Sequence, residues 1–275
     1  MWRALVCGLV LSCERPEPLS PAATDGGAKA PAGSAAAPAA TAPPHVAVPE
    51  AVRAALAASD RNAEDQKLDT QRRSGELLAF FGIAPGMRVA ELGAGGGYTA
   101  ELLARIVTSG GRVYAQNSRF LLERFAEKPL SERLAKPSLA NVTRVERSFD
   151  DPLPPDAKEL DAVVLVLVYH DTVWLGVNRD AMNRAVFSAL RPGGVYGVVD
   201  HSARAGDGVS VTHSLHRIEE AVVRREIERA GFVLDAESAV LRNADDTRDW
   251  NASPSAAAER RGASDRFVLR FKKPG

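Results

Sequence analysis

Arg88 to Arg105 reads RVAELGAGGGYTAELLAR, and its three parts decide the fold. Met87 to Leu92 is a short apolar run of strand character. Residues 93–97 are almost all glycine. Tyr98 to Val107 then carries Leu102, Leu103, Ile106 and Val107 at helical spacing. The order is strand, tight turn, helix. Glycines let the turn take positive φ and let a ligand approach the backbone, and the helix N-terminus offers unpaired N–H groups. Such a turn suits a nucleotide-like ligand.

Two phosphate-binding patterns fail here. A dinucleotide fingerprint needs Gly-x-Gly-x-x-Gly, but Tyr98 stands at its last glycine, and no Gly-Lys-Ser/Thr follows. Glu91 would sit at the end of the strand, where a carboxylate repels phosphate and favours a cation. The pattern Val89, Glu91, Gly93, Gly95, Gly97 resembles motif I of the class I S-adenosylmethionine-dependent methyltransferases. The resemblance implies S-adenosylmethionine as cofactor, held around Gly93, Ala94, Gly95 and Gly97, with Glu91 facing its methionine end directly or through water. It also implies an α/β, Rossmann-like, doubly wound seven-stranded sheet with a helical N-terminal cap. A purely structural βα turn is the plainer alternative.

With 275 residues, the chain can bury one full-sized core but hardly two. Lys+Arg and Asp+Glu both number 35, so no overall field attracts nucleic acid or anionic membrane. Residues 1–13 hold an apolar run from Ala4 to Leu11 and then Ser12-Cys13, which looks like a bacterial lipoprotein signal with its lipobox at Val10 to Cys13. Residues 14–48, almost wholly Pro, Ala, Gly, Ser and Thr, read as a disordered tether. The expected organisation is therefore a signal (1–13), a linker (14–48) and a methyltransferase domain (49–275), tied to the membrane only through a lipid on Cys13. This implies a periplasmic location, with a cytoplasmic one as the alternative. Export would separate the domain from cofactor made in the cytoplasm. Cys7 and Cys13 are the only cysteines, so the folded part has no thiol nucleophile or thiolate metal site.

Within the domain, residues 49–81 predict helices broken around Asp60 to Asp65. Arg72 and Arg73 could reach the cofactor carboxylate there, or serve as solvated helix charges. Arg112 to Asn117 is a second strand ending about 20 positions past the glycine turn, where a nucleotide-binding α/β fold places an acid for the ribose. Here the residue is Asn117, an amide without a carboxylate's charge. The pattern predicts a helix over 118–135 with a break near Pro129. After a third strand at Val142 to Arg147, Asp150 falls in the loop where the resembled family holds the adenine; a plain loop acid before Pro152 is the alternative. Asp161 to Val168 reads as the central strand of a parallel sheet covered on both faces. Leu190 to Gly194 followed by an apolar strand is similar to the family's turn at that point, and the resemblance spans roughly residues 75–240. The pattern also predicts helices over 172–190 and 213–230, then two final strands in an antiparallel hairpin. Arg242 to Asp265 makes a long connection between those strands.

Tyr169, His170 and Asp171 end the fourth strand, and Asp200 and His201 the fifth, at the pole where ligand chemistry gathers in open α/β sheets. His170 or His201 is a candidate base for methyl transfer, with Asp171 or Asp200 orienting the imidazole. Tyr169 and Trp250 are candidate walls for a small-molecule acceptor. No metal is assigned, although His213-x-x-His216 with His201, His170 and Asp171 offers a metal-ligating alternative. The rival functions are a metal-assisted hydrolase or oxidoreductase on an α/β core, and a cofactor-binding domain without turnover.

Overall fold

Seven strands form one sheet in the order β3-β2-β1-β4-β5-β7-β6. This is seen in a computed structural model that describes residues 47–275. The lipobox and nearly all of the proline- and alanine-rich segment lie outside the described residues. The strands are β1 (Arg88–Leu92), β2 (Arg112–Asn117), β3 (Val142–Glu146), β4 (Leu160–Val166), β5 (Leu190–His201), β6 (Val233–Ser238) and β7 (Arg266–Lys272). Pairings from β3 through β5 are parallel, while β7 runs antiparallel between β5 and β6. The expected doubly wound α/β sheet, with its final antiparallel hairpin, is what the chain forms. Strand order reverses between β1 and β4, so a crevice opens beyond their carboxyl ends.

Each face of the sheet is covered. Ala90, Leu92, Val163, Leu165, Tyr196 and Val198 pack against Met182 and Val186 of α8 (Arg179–Ala189) and Val223 and Ile227 of α10 (Glu220–Arg229). Val89, Val113, Ala162, Val164 and Val199 meet α1 (Glu50–Leu56), α3 (Ser74–Phe80) and α4 (Tyr98–Val107) on the other side. Alternation along β1 therefore puts Glu91 on the face covered by α3 and α4. Gly197 in β5 shows how closely the N-terminal cap sits: a Cβ there would fall 2.7 Å from the Phe81 ring.

Helix boundaries depart from the pattern in four places. Arg73 takes φ 47° and splits the cap into α2 (Ala63–Arg72) and α3, turning Arg72 inward and Arg73 out. The segment after β2 runs from α5 (Arg119–Leu121) through a π turn at Leu122–Ala126 into α6 (Glu127–Leu134), so Pro129 lies in the first turn of α6 and breaks nothing. Gly176, at φ 69°, divides α8 from α7 (Tyr169–Trp174). His216, at φ 51°, ends α9 (Thr212–Leu215) before α10 begins. Local periodicity continues across each break.

Candidate functional site

The glycine turn is fixed by side chains from neighbouring elements. Gly93, Gly95 and Gly97 all have positive φ, at 66°, 55° and 83°. The buried Gln116 side chain accepts the Gly93 N–H at 3.0 Å and donates to the Arg147 carbonyl at 2.7 Å. Asn117 accepts the Gly95 N–H at 2.8 Å and donates back to the Gly95 carbonyl at 3.1 Å. A carboxylate could not make the second bond, which explains the amide at this position. The structure thus commits the Asn117 side chain to the turn itself. From α6, Arg133 donates to the Gly96 carbonyl at 2.7 Å and pairs with Asp65 and the buried Glu101. Gln116 and Arg133 escaped the sequence reading because a partner's identity emerges only when β2, α6 and the turn meet in space.

Glu91 is treated differently. It is 4% exposed at the tip of β1, and its Oε2 has no hydrogen-bond partner among the described residues. Burial raises its pKa to about 8, against the opposing pull of Thr99 and Arg72. Arg72 and Thr99 line the same small recess, together with Ser74, Tyr98, Leu167 and Arg266. The Arg72 guanidinium lies 4.5 Å over the Tyr98 ring without an acidic partner among the described residues. The Tyr98 hydroxyl, which fixes that ring, donates to Asp69 at 2.6 Å and contacts Ser74 at 2.6 Å. Burial holds the Arg266 pKa down to about 10, with Arg72 adding to the effect.

These groups fit the methionine end of S-adenosylmethionine. A buried carboxylate suits its ammonium, and a guanidinium without an acidic partner suits its carboxylate. The space a Cβ would fill at Gly95 has no atom within 4 Å, so the turn is open to a ligand there.

The carboxyl ends of β4 and β5 hold a second group. His170 Nδ1 and Asp200 Oδ1 are 2.7 Å apart, and the His170 backbone N–H donates to Asp200 Oδ2 at 2.7 Å. Burial opposes a charge on His170, but Asp200 and Asp171 outweigh it and push its pKa up to about 10. Asp171 is held well below the usual carboxylate range, burial being overcome by His170 and His216. His201 behaves oppositely: burial and the nearby His170 charge push its pKa well below normal, and its Nδ1 lies 2.7 Å from the Ser264 hydroxyl. At neutral pH the His170 ring is therefore a cation and His201 is neutral, so His170 without a ligand is poorly suited to act as a base.

Three expected residues point elsewhere. Tyr169 is a correction: it is 0% exposed, its hydroxyl donates to Glu226 at 2.9 Å and accepts from Asn183 at 2.9 Å, and it belongs to the core under α8. The helical start of α7 swings it away from the pole. Asp150 is exposed and accepts the Asn178 N–H at 2.5 Å, in the loop before α8. Trp250 is half-buried, its indole donates to Asp246 at 2.7 Å, and Arg217 lies 4.7 Å over its ring. That arginine and Asp246 form an ion pair at 2.7 Å with both side chains 0% exposed, which orders the long connection before β7.

No protein-family model matches the chain. A solved S-adenosylmethionine-dependent methyltransferase from Aquifex aeolicus superposes with a TM-score of 0.55 at 16% identity, covering 76% of this chain and 95% of that one. The fold is that of the class I methyltransferases. A [4+2]-cyclase shares it at TM-score 0.54 and 16% identity, over 78% of this chain and 85% of its own. Human N-acetylserotonin methyltransferase in complex with S-adenosylmethionine matches at TM-score 0.50 and 15% identity, over 78% of this chain and 54% of its own. In sequence, a protein-L-isoaspartate O-methyltransferase from Aeropyrum pernix is 40% identical over 76 residues, 26% of this chain and 29% of that relative's length.

Proposed function

We propose that the protein is an S-adenosylmethionine-dependent methyltransferase acting on a small-molecule acceptor. One observation carries this: a buried carboxyl, Glu91, without a hydrogen-bond partner for its Oε2, within the field of Arg72 and at the edge of an open glycine turn. The cofactor would supply an activated methyl group on a sulfonium. Glu91 and Arg72 hold its amino and carboxylate groups, and the bonds from Gln116, Asn117 and Arg133 keep the turn in place for it. Catalysis would then rest mainly on positioning. A balanced overall charge supports a small acceptor over nucleic acid.

The shared [4+2]-cyclase fold keeps a second reading alive, in which the domain binds the cofactor without methyl transfer. Calorimetry with S-adenosylmethionine tests binding, and S-adenosylhomocysteine formed from a pool of candidate acceptors tests turnover. Failure of Glu91→Ala to weaken binding would refute the site. Binding without product would favour the second reading. We also propose that the domain is exported and anchored through Cys13, which metabolic labelling of the expressed chain with a fatty acid would test against a Cys13→Ala control.

A further inference from the structure

We propose that His170, Asp171 and His216 form a binding site for a divalent transition metal at the carboxyl ends of β4 and β5. Three donor atoms converge: His170 Nε2 is 3.2 Å from His216 Nδ1 and 3.1 Å from Asp171 Oδ1, and those two are 3.5 Å apart. With metal–ligand bonds of about 2.1 Å, adjacent ligand atoms lie about 3.4 Å apart in a tetrahedron and about 3.0 Å apart in an octahedron. All three separations fall at or near that range, so a point about 0.9 Å out of their plane lies at metal-bonding distance from every donor. Two imidazoles and one carboxylate on a single face suit zinc, iron, cobalt or manganese.

The surroundings are those of a built site. Asp200, 0% exposed, grips His170 through both Nδ1 and the backbone N–H, which fixes the ring and aims Nε2 at the other two donors. The Trp174 indole donates to Asp171 Oδ1 at 2.9 Å and orients that carboxylate. His216 holds a left-handed backbone at φ 51°, an unfavourable conformation for a residue with a Cβ, and the bend brings its ring to His170. His213, three residues earlier, instead packs against Trp174 and stays outside the group. Side-chain exposures of 26% for His216 and 20% for Asp171 leave room for solvent or substrate on the open side, as in a catalytic centre.

The inference does not rest on the methyltransferase assignment, since it concerns other residues and is read by metal binding. The test uses the full chain with Cys7→Ser and Cys13→Ser, to remove thiolates. Zn2+ titration by calorimetry should give one site per chain, and Co2+ should give intense visible absorption from nitrogen and oxygen ligands. His216→Ala and Asp171→Asn should each weaken Zn2+ at least tenfold and abolish its effect on Tm, while His213→Ala retains both. Because the His216 side chain is partly exposed, its variant should fold, which metal-free Tm would verify. Absence of a stoichiometric Zn2+ site, or equal affinity in His216→Ala and His213→Ala, would overturn the proposal. Cofactor binding measured in the same variants reports separately on the Glu91 site.

Discussion

Protonation of Glu91 should control cofactor affinity. With its pKa raised to about 8 by burial, the carboxyl is mostly neutral at neutral pH in the free protein. A cationic amino group prefers the carboxylate, so binding must expel the proton. If only the ionised form binds well, that form rises from about one part in a hundred at pH 6 to about half at pH 8, and affinity rises about 50-fold. Above roughly pH 9 the gain should level off. Calorimetry with S-adenosylhomocysteine, which keeps the amino and carboxylate groups and tolerates alkaline buffer, reads this directly. Buffers of different ionisation enthalpy should reveal close to one proton released per ligand at pH 7. Glu91→Gln should bind weakly with a much flatter pH dependence.

The stability of the free protein should move in the opposite direction. A raised folded-state pKa gives a contribution that is complete below the unfolded value of 4.5 and is lost as pH rises through about 8. The full span corresponds to on the order of 5 kcal/mol, and Glu91→Gln should remove it, flattening Tm between those limits. If wild-type affinity is flat from pH 6 to 9 while Glu91→Gln binds equally well, Glu91 does not face the ligand.

Arg72→Met should weaken the same ligand by about 1.5–3 kcal/mol, roughly ten- to a hundredfold in Kd by calorimetry, with little change in Tm. Gly95→Ala should cost only about 1–2 kcal/mol in a denaturant titration, since φ is 55° and the space is empty, but should weaken cofactor binding far more. Asn117→Asp should lower stability by about 1–3 kcal/mol, because a carboxylate cannot donate to the Gly95 carbonyl. Asp246→Ala strands the buried Arg217, so a loss of about 3–5 kcal/mol and faster proteolysis within residues 243–264 are expected.

What the sequence discloses follows from how local the cause is. β1, its turn and α4 are contiguous, and β4 is buried on both faces, so each leaves a continuous pattern in the sequence, while the seven-stranded sheet is what the resemblance implies. His216 is the opposite case. Residues 213–230 keep helical spacing, yet the chain bends at His216 and parts its ring from that of His213. Tyr169 shows the same limit: as a strand end it would face the crevice, but as the first residue of α7 it turns into the core. The long segment before β7 carries no periodic pattern of its own. It is ordered because Arg217, from before α10, meets an acid 29 positions away.

The arrangement around Glu91 is hard to explain by stability. Every neighbouring backbone constraint is satisfied: Gly93 by Gln116, Gly95 by Asn117, Gly96 by Arg133. The same region leaves a carboxylate oxygen buried without a partner, at a cost an apolar residue of similar size would avoid. Arg72 is likewise brought into a recess and left without an acid, although Asp69 nearby is already committed to Arg61 and Tyr98. A carboxyl and a guanidinium placed near one another would normally pair by contact. Here Glu91 and Arg72 sense each other through the field without a hydrogen bond between them. A rigid turn that keeps a buried carboxyl apart from an unpaired guanidinium suits a zwitterion, because the ligand's carboxylate finds Arg72 already desolvated and in place while its ammonium favours the ionised form of Glu91.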